Sequence, residues 1–120
     1  MSHVVTLQTK IHDPAAVAAA CQRLNLPPPQ HGTAQLYSDE VEGLLVQLPG
    51  WQYPIVIDTL SGVVRYDNYQ GYWGAQEHLD RFLQLYAVER AKLEARKKGY
   101  TVSEQSLQDG SIKLNIIEGR

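Results

Sequence analysis

The sequence predicts an α+β fold: one antiparallel sheet of roughly six or seven strands with two packed helices, the C-terminal one long. Three observations carry this. Several short segments alternate apolar and polar residues at the two-residue period of strands. Two longer stretches repeat apolar residues every three or four positions, the period of a helix with one buried stripe. Pro, Gly, Asp and Asn fall between these segments and mark turns. With 120 residues, 43% of them apolar, the chain has the size of one domain with one core, so residues 1–120 are expected to form a single unit.

The first strand is expected in "HVVTLQTKI", where Val5, Leu7, Thr9 and Ile11 alternate with Thr6, Gln8 and Lys10. Asp13 followed by Pro14 starts a helix, because the carboxylate accepts from first-turn amides and proline sits where no amide is needed. That helix runs to about Asn25, with Val17, Cys21 and Leu24 as its buried stripe, and "LPPPQHG" ends it. Two successive hairpins follow. In the first, "TAQLYS" and "GLLVQLP" flank an acidic turn, "DEVE"; in the second, "YPIVID" and "VVRYDN" flank "TLSG". A long helix spans about 75–98 with Leu79, Phe82, Leu83, Tyr86 and Leu93 on one side. Early acids and late bases complement its dipole, and Gly99 closes it. The stretch "YTVSEQSLQDGSIKLNI" then makes a hairpin turning at Asp109-Gly110, with Ile112, Leu114 and Ile116 on one face. The last four residues, "IEGR" at 117–120, match a protease recognition sequence and are taken as a processing scar without functional weight.

The opening "MSH" with Gln8-Thr9, the helix "LQLYAVERAKLEARKKGY" and above all "EQSLQDGSIKL" resemble the DUF1257 family, whose plastid and cyanobacterial members are called Ycf35-like. The resemblance covers most of the chain, is firmest over residues 86–114 and is looser through the middle hairpins. It implies a small domain without an established activity, cofactor or catalytic residue, so no site residue is carried over from it.

A formal charge of −2 with both signs interspersed argues against wholesale coating of nucleic acid. Cys21 is the only cysteine, which excludes an internal disulfide, and the N-terminus lacks the basic start and apolar run of a signal peptide. A cytoplasmic protein without membrane contact is the expectation. Chemistry finds little support. Cys21 falls on a buried helix stripe beside alanines that supply no base. The histidines His3, His12, His31 and His78 have no metal-ligand spacing, and "DEVE" lacks the alternating ligands and glycine of a calcium loop. The glycines never assemble a phosphate-binding fingerprint, and no pair of carboxylates is set apart as acid and base. No enzymatic activity, cofactor or metal is expected.

Two surfaces remain. Six of the ten aromatic residues lie between positions 51 and 73. Trp51, Tyr53, Tyr69, Tyr72 and Trp73 are the candidate partner-binding residues, since aromatics interleaved with Asp and Asn suit protein interfaces. A lid over the domain's own core is the plain alternative, and Tyr66, at a strand end, is expected to be core in either case. The second surface is the basic end of the long helix, where Arg90, Arg96, Lys97 and Lys98, with Lys92 among them, are candidates to meet an anion; dipole complementarity and solubility explain the same residues. The function expected is that of a small accessory or adaptor protein whose partner is another protein. The alternative is an RNA- or nucleotide-binding module that combines the basic helix end with the aromatic loop.

Overall fold

A computed structural model describes residues 4–118. His3 of the histidine set, and Gly119 and Arg120 of the terminal "IEGR", lie outside the described residues. The elements run β1 (Val5–Leu7), α1 (Pro14–Arg23), β2 (Gln30–Gln35), β3 (Glu40–Val46), β4 (Ile55–Asp58), β5 (Val63–Tyr66), a single 3-10 turn (Tyr69–Gly71), α2 (Gln76–Lys97), β6 (Thr101–Ser106) and β7 (Ile112–Ile117). The architecture is α+β with two helices and antiparallel pairing throughout.

The strands do not form one sheet. Among the described residues five make a sheet in the order β1-β5-β4-β3-β2, while β6 and β7 pair only with each other. Helix α2 separates the two groups of strands in the chain. Its 22 residues, at about 1.5 Å of rise each, carry the chain roughly 33 Å along the body before β6 begins, and the molecule is accordingly elongated, 54 × 32 × 24 Å. The C-terminal hairpin is a separate two-stranded ribbon that lies back along α2, Ile112 packing against the main core, and β1 takes the sheet edge beside β5.

Both helices lie on one face of the sheet. Asp13 caps α1 as its sequence implies, accepting from the Ala15 and Ala16 amides at 3.0 and 3.4 Å, and Val17 and Cys21 are fully buried. From α2, Leu79, Phe82, Leu85 and Tyr86 enter the same core, where they meet Leu48, Ile55, Ile57 and Val64 of the sheet side. Leu83 and Leu93, expected in that stripe, pack at its margin. The first strand is shorter than its alternation suggests: pairing with β5 stops at Leu7, and Ile11 instead turns inward, its N–H donating to the Gly62 carbonyl at 3.1 Å.

Among the described residues the opposite face carries no helix but a small cluster of its own, Ala34, Leu36 and Val56 with Val4, Val41, Leu45 and Tyr53. A bend builds it. Gly43, paired with Gly32, sits where a Cβ would lie 2.6 Å from the Ile57 carbonyl oxygen, so β3 curves sharply at a residue without a side chain. The β2–β3 hairpin tip thereby curls over the outer face and brings Leu36 against Val56. The acidic "DEVE" is not the turn: Glu40, Val41 and Glu42 belong to β3, and the chain reverses between Leu36 and Asp39, whose N–H and carbonyl meet at 2.7 Å.

Candidate functional site

The aromatic site is assembled from three segments that the bend in β3 draws together. After β5 the chain enters a loop stapled to itself. Asp67 and Asn68 are buried, 1% and 6% exposed. One Asp67 carboxylate oxygen accepts from the Tyr69 N–H at 3.1 Å, and its other oxygen is buried without a partner among the described residues. The Asn68 side-chain amide donates to the Gly74 carbonyl at 3.1 Å, while the Asn68 carbonyl accepts from the Gly71 and Trp73 amides. Held this way, Tyr69 and Gln70 adopt left-handed backbone, φ 47° and 55°, a conformation that non-glycine residues seldom take unless their surroundings impose it.

That backbone aims the rings. Trp73 is the hub, with Tyr69, Tyr37 and Tyr53 around it at centroid distances of 4.7, 5.3 and 5.7 Å. Tyr72 stacks on Tyr69 at 5.2 Å. These separations suit offset and edge-on aromatic contacts. Burial grades outward: Trp73, Tyr53 and Tyr69 are half-buried, whereas Tyr37 and Tyr72 are 62% and 80% exposed. The Gln52 N–H donates to the Trp73 carbonyl at 2.8 Å and ties the junction of the two hairpins to the loop.

Of the five aromatic candidates, Tyr53, Tyr69, Tyr72 and Trp73 thus share one patch. Trp51 belongs to the core instead. It is 4% exposed, donates its indole N–H to the Ala75 carbonyl at 3.0 Å and meets Tyr66 edge-on at 5.7 Å. Tyr66 is core as expected, 8% exposed. Tyr37 was not among the candidates, and the signal for it in the sequence is Gly43 at the head of "GLLVQLP", a glycine that marks a bend or a close backbone approach.

The basic residues of α2 are partly neutralised. Lys92 lies in a network with Arg23, Glu89 and Glu104 that fastens α1, α2 and β6 together. Arg23 grips both Glu104 oxygens at 2.6 and 2.9 Å, and Lys92 reaches Glu104 at 2.7 Å. These two cations, Arg23 foremost, hold the Glu104 carboxyl down to about 2. Arg90 and Lys97 share Glu94 at 3.7 and 3.8 Å. Arg90 also lines a shallow groove with Lys10, His12 and Tyr86. Arg96 and Lys98 are exposed and form no ion pair among the described residues. The aromatic loop precedes the start of α2 and the basic residues lie toward its other end, Arg90 about 21 Å and Lys98 about 33 Å from Gln76 by helix rise, so the two do not make one surface.

The remaining candidates for chemistry are dispersed. Burial pushes the Cys21 thiol up to about 11. His12 donates through Nδ1 to the Thr59 carbonyl at 2.9 Å. His31 is exposed on β2 rather than in the proline loop, and His78 is half-buried in the first turn of α2. Among the described residues no three His, Cys, Asp or Glu side chains come together in a way that would hold a metal ion, and no helix is long and apolar enough to cross a membrane. Compared with protein-family models, curated proteins and solved structures, the chain matches none.

Proposed function

We infer that this chain is a small cytoplasmic accessory protein, without chemistry of its own, that binds another protein through the patch of Tyr37, Tyr53, Tyr69, Tyr72 and Trp73. The observation that carries this reading is the exposure of Tyr72 and Tyr37, 80% and 62%, on rings whose backbone is fixed. A lid serves its own core by burying its aromatics, and these two rings gain little that way. Large rings held in one orientation supply contact area at low entropic cost, and their hydroxyls bond a partner at the rim. The likeness to the DUF1257 family agrees with this reading in offering no established activity, and membership is part of the proposal.

The nucleic-acid reading takes second place. Bases stacked on Tyr69 and Tyr72 need cations near the rings to meet their phosphates, and the basic end of α2 is too far away to provide them. The experiment is recovery of partners on the tagged chain from its native cell, with and without nuclease and over a salt series. Retention of a protein partner after nuclease, with weak salt dependence, supports the proposal. Loss on nuclease treatment, or a steep fall with salt, refutes it in favour of nucleic acid.

A further inference from the structure

The β6–β7 ribbon leaves the end of α2 and lies back along that helix, its turn beside Gln84, with β7 as an open edge: among the described residues no strand pairs with it except β6. Two-stranded ribbons are marginal by themselves in water, and an uncovered edge invites another strand. This one also exposes Leu107 and Ile116 at 40% and 48%. The rest of the ribbon is held firmly. Glu104 on β6 is gripped by Arg23 and Lys92, and Gln84 of α2 donates to the Gly110 carbonyl at the turn, 2.9 Å.

Turn geometry decides which backbone groups face outward. The Leu107 N–H donates to the Ser111 carbonyl at 2.9 Å, and the Gly110 N–H to the Leu107 carbonyl at 3.1 Å, so Leu107 and Ser111 are a hydrogen-bonded pair. Such pairs alternate along an antiparallel ladder. Ser106 with Ile112, Glu104 with Leu114, and Val102 with Ile116 are therefore the non-bonded pairs. It follows that Ile112, Leu114 and Ile116 direct both N–H and C=O away from β6, out of the open edge.

We propose that β7 pairs antiparallel with β7 of a second copy of this chain, on a twofold axis at Leu114, so that the two ribbons form a four-stranded sheet. This register sets Leu114 opposite Leu114 of the partner subunit and Ile112 opposite Ile116 of the partner subunit. Every outward group then meets another outward group, and the apolar face continues across the axis. Lys113 falls opposite Asn115 of the partner subunit in a close non-bonded pair, with no like charges facing. A register one residue earlier would set two Lys113 side chains against each other, and one residue later would set Ile112 against Glu118. The β6 edge does not offer the same fit, because a twofold there would bring two Glu104 carboxylates together. A homodimer through β7 uses no residue of the aromatic patch.

Sedimentation equilibrium on the whole chain tests this. A monomer–dimer equilibrium is expected. Asn115→Lys, which puts lysine opposite Lys113 in both symmetric pairs, should weaken it roughly fivefold, and Asn115→Lys with Lys113→Glu should restore it. Asn115 is exposed in the monomer, so neither variant should change the melting temperature by more than a degree or two. Leu114→Pro, which removes an outward N–H that β6 does not use, should abolish the dimer while the ribbon's own pairing persists in amide exchange. A monomer at every concentration up to about 1 mM, or a dimer indifferent to Asn115→Lys, overturns the proposal.

Discussion

Replacing Gly74 with alanine adds one carbon at the point where the aromatic loop crosses the core. An ideal Cβ there would lie inside contact distance of three Trp51 ring carbons, Cγ, Cδ2 and Cε2. Trp51 has nowhere to go: it is 4% exposed, its indole N–H is bonded to the Ala75 carbonyl and its ring abuts Tyr66. Overpacking of this kind costs about 1–3 kcal/mol, and a displaced indole forfeits a hydrogen bond worth about 1 kcal/mol. The net expectation is a loss of about 2–3 kcal/mol. For a chain of 120 residues each kcal/mol shifts the melting temperature by roughly 4 °C, so a fall of about 8–12 °C is expected. Differential scanning calorimetry measures it. Tryptophan fluorescence adds a local readout, because both tryptophans of the chain, Trp51 and Trp73, lie at this junction. A melting temperature within about 1 °C of the parent's, with unchanged emission, would refute the packing argument.

The ion-pair network predicts acid sensitivity. The Glu104 carboxyl stands at about 2 in the folded chain against an ordinary 4.5, so its contribution is complete above pH 4.5 and is lost as the pH falls toward 2. Glu104→Gln should cost about 1–2 kcal/mol at pH 7, after allowance for solvent screening of the part-exposed partners, and the gap between variant and parent in urea midpoints should close near pH 2. A gap that persists unchanged into acid would contradict this. Gly110→Val should strip amide-exchange protection from β6 and β7 while leaving the five-stranded sheet protected, since φ there is +88° and a β-branched residue resists it; unaltered ribbon protection would show the turn to be built otherwise. The Cys21 thiol, with burial pushing it to about 11, should react with a thiol reagent at pH 8 only as fast as the core opens, and rapid modification of the folded protein would show that the site is accessible.

Local signals in the sequence were read correctly where chemistry determines local geometry. Asp13-Pro14 announced a capped helix, Gly99 ended α2, and Asp109-Gly110 made its turn with the Ser111 hydroxyl and N–H holding the Asp109 carboxyl below its usual range. What was not legible was where separate elements go. Alternation through residues 5–11 described a strand but not its partner, and the antiparallel pairing stops at Leu7, opposite Val64 near the start of β5. One sheet of roughly six or seven strands was expected, and the structure divides the strands five and two; strand periodicity in β6 and β7 does not say that they pair only with each other and pack on α2 instead of extending the sheet. Around the site, Trp51 was misplaced because a residue in a loop has no period to say which side it faces. Tyr37 joins the patch only through the bend at Gly43, a tertiary event that one glycine hints at without specifying.

The central claim is that the aromatic patch is a contact surface and not part of the core, and Tyr72→Ala set beside Tyr66→Ala tests it most directly. With a partner in hand, affinity by titration calorimetry and melting temperature are measured for both variants. Tyr72, 80% exposed, should on removal weaken binding by about 1 kcal/mol or more while the melting temperature stays within a few degrees of the parent's. Tyr66, 8% exposed and packed on Trp51, should cost about 3 kcal/mol of stability and affect binding only through unfolding. The account is contradicted if Tyr72→Ala binds as tightly as the parent, or if it destabilises the fold as much as Tyr66→Ala does.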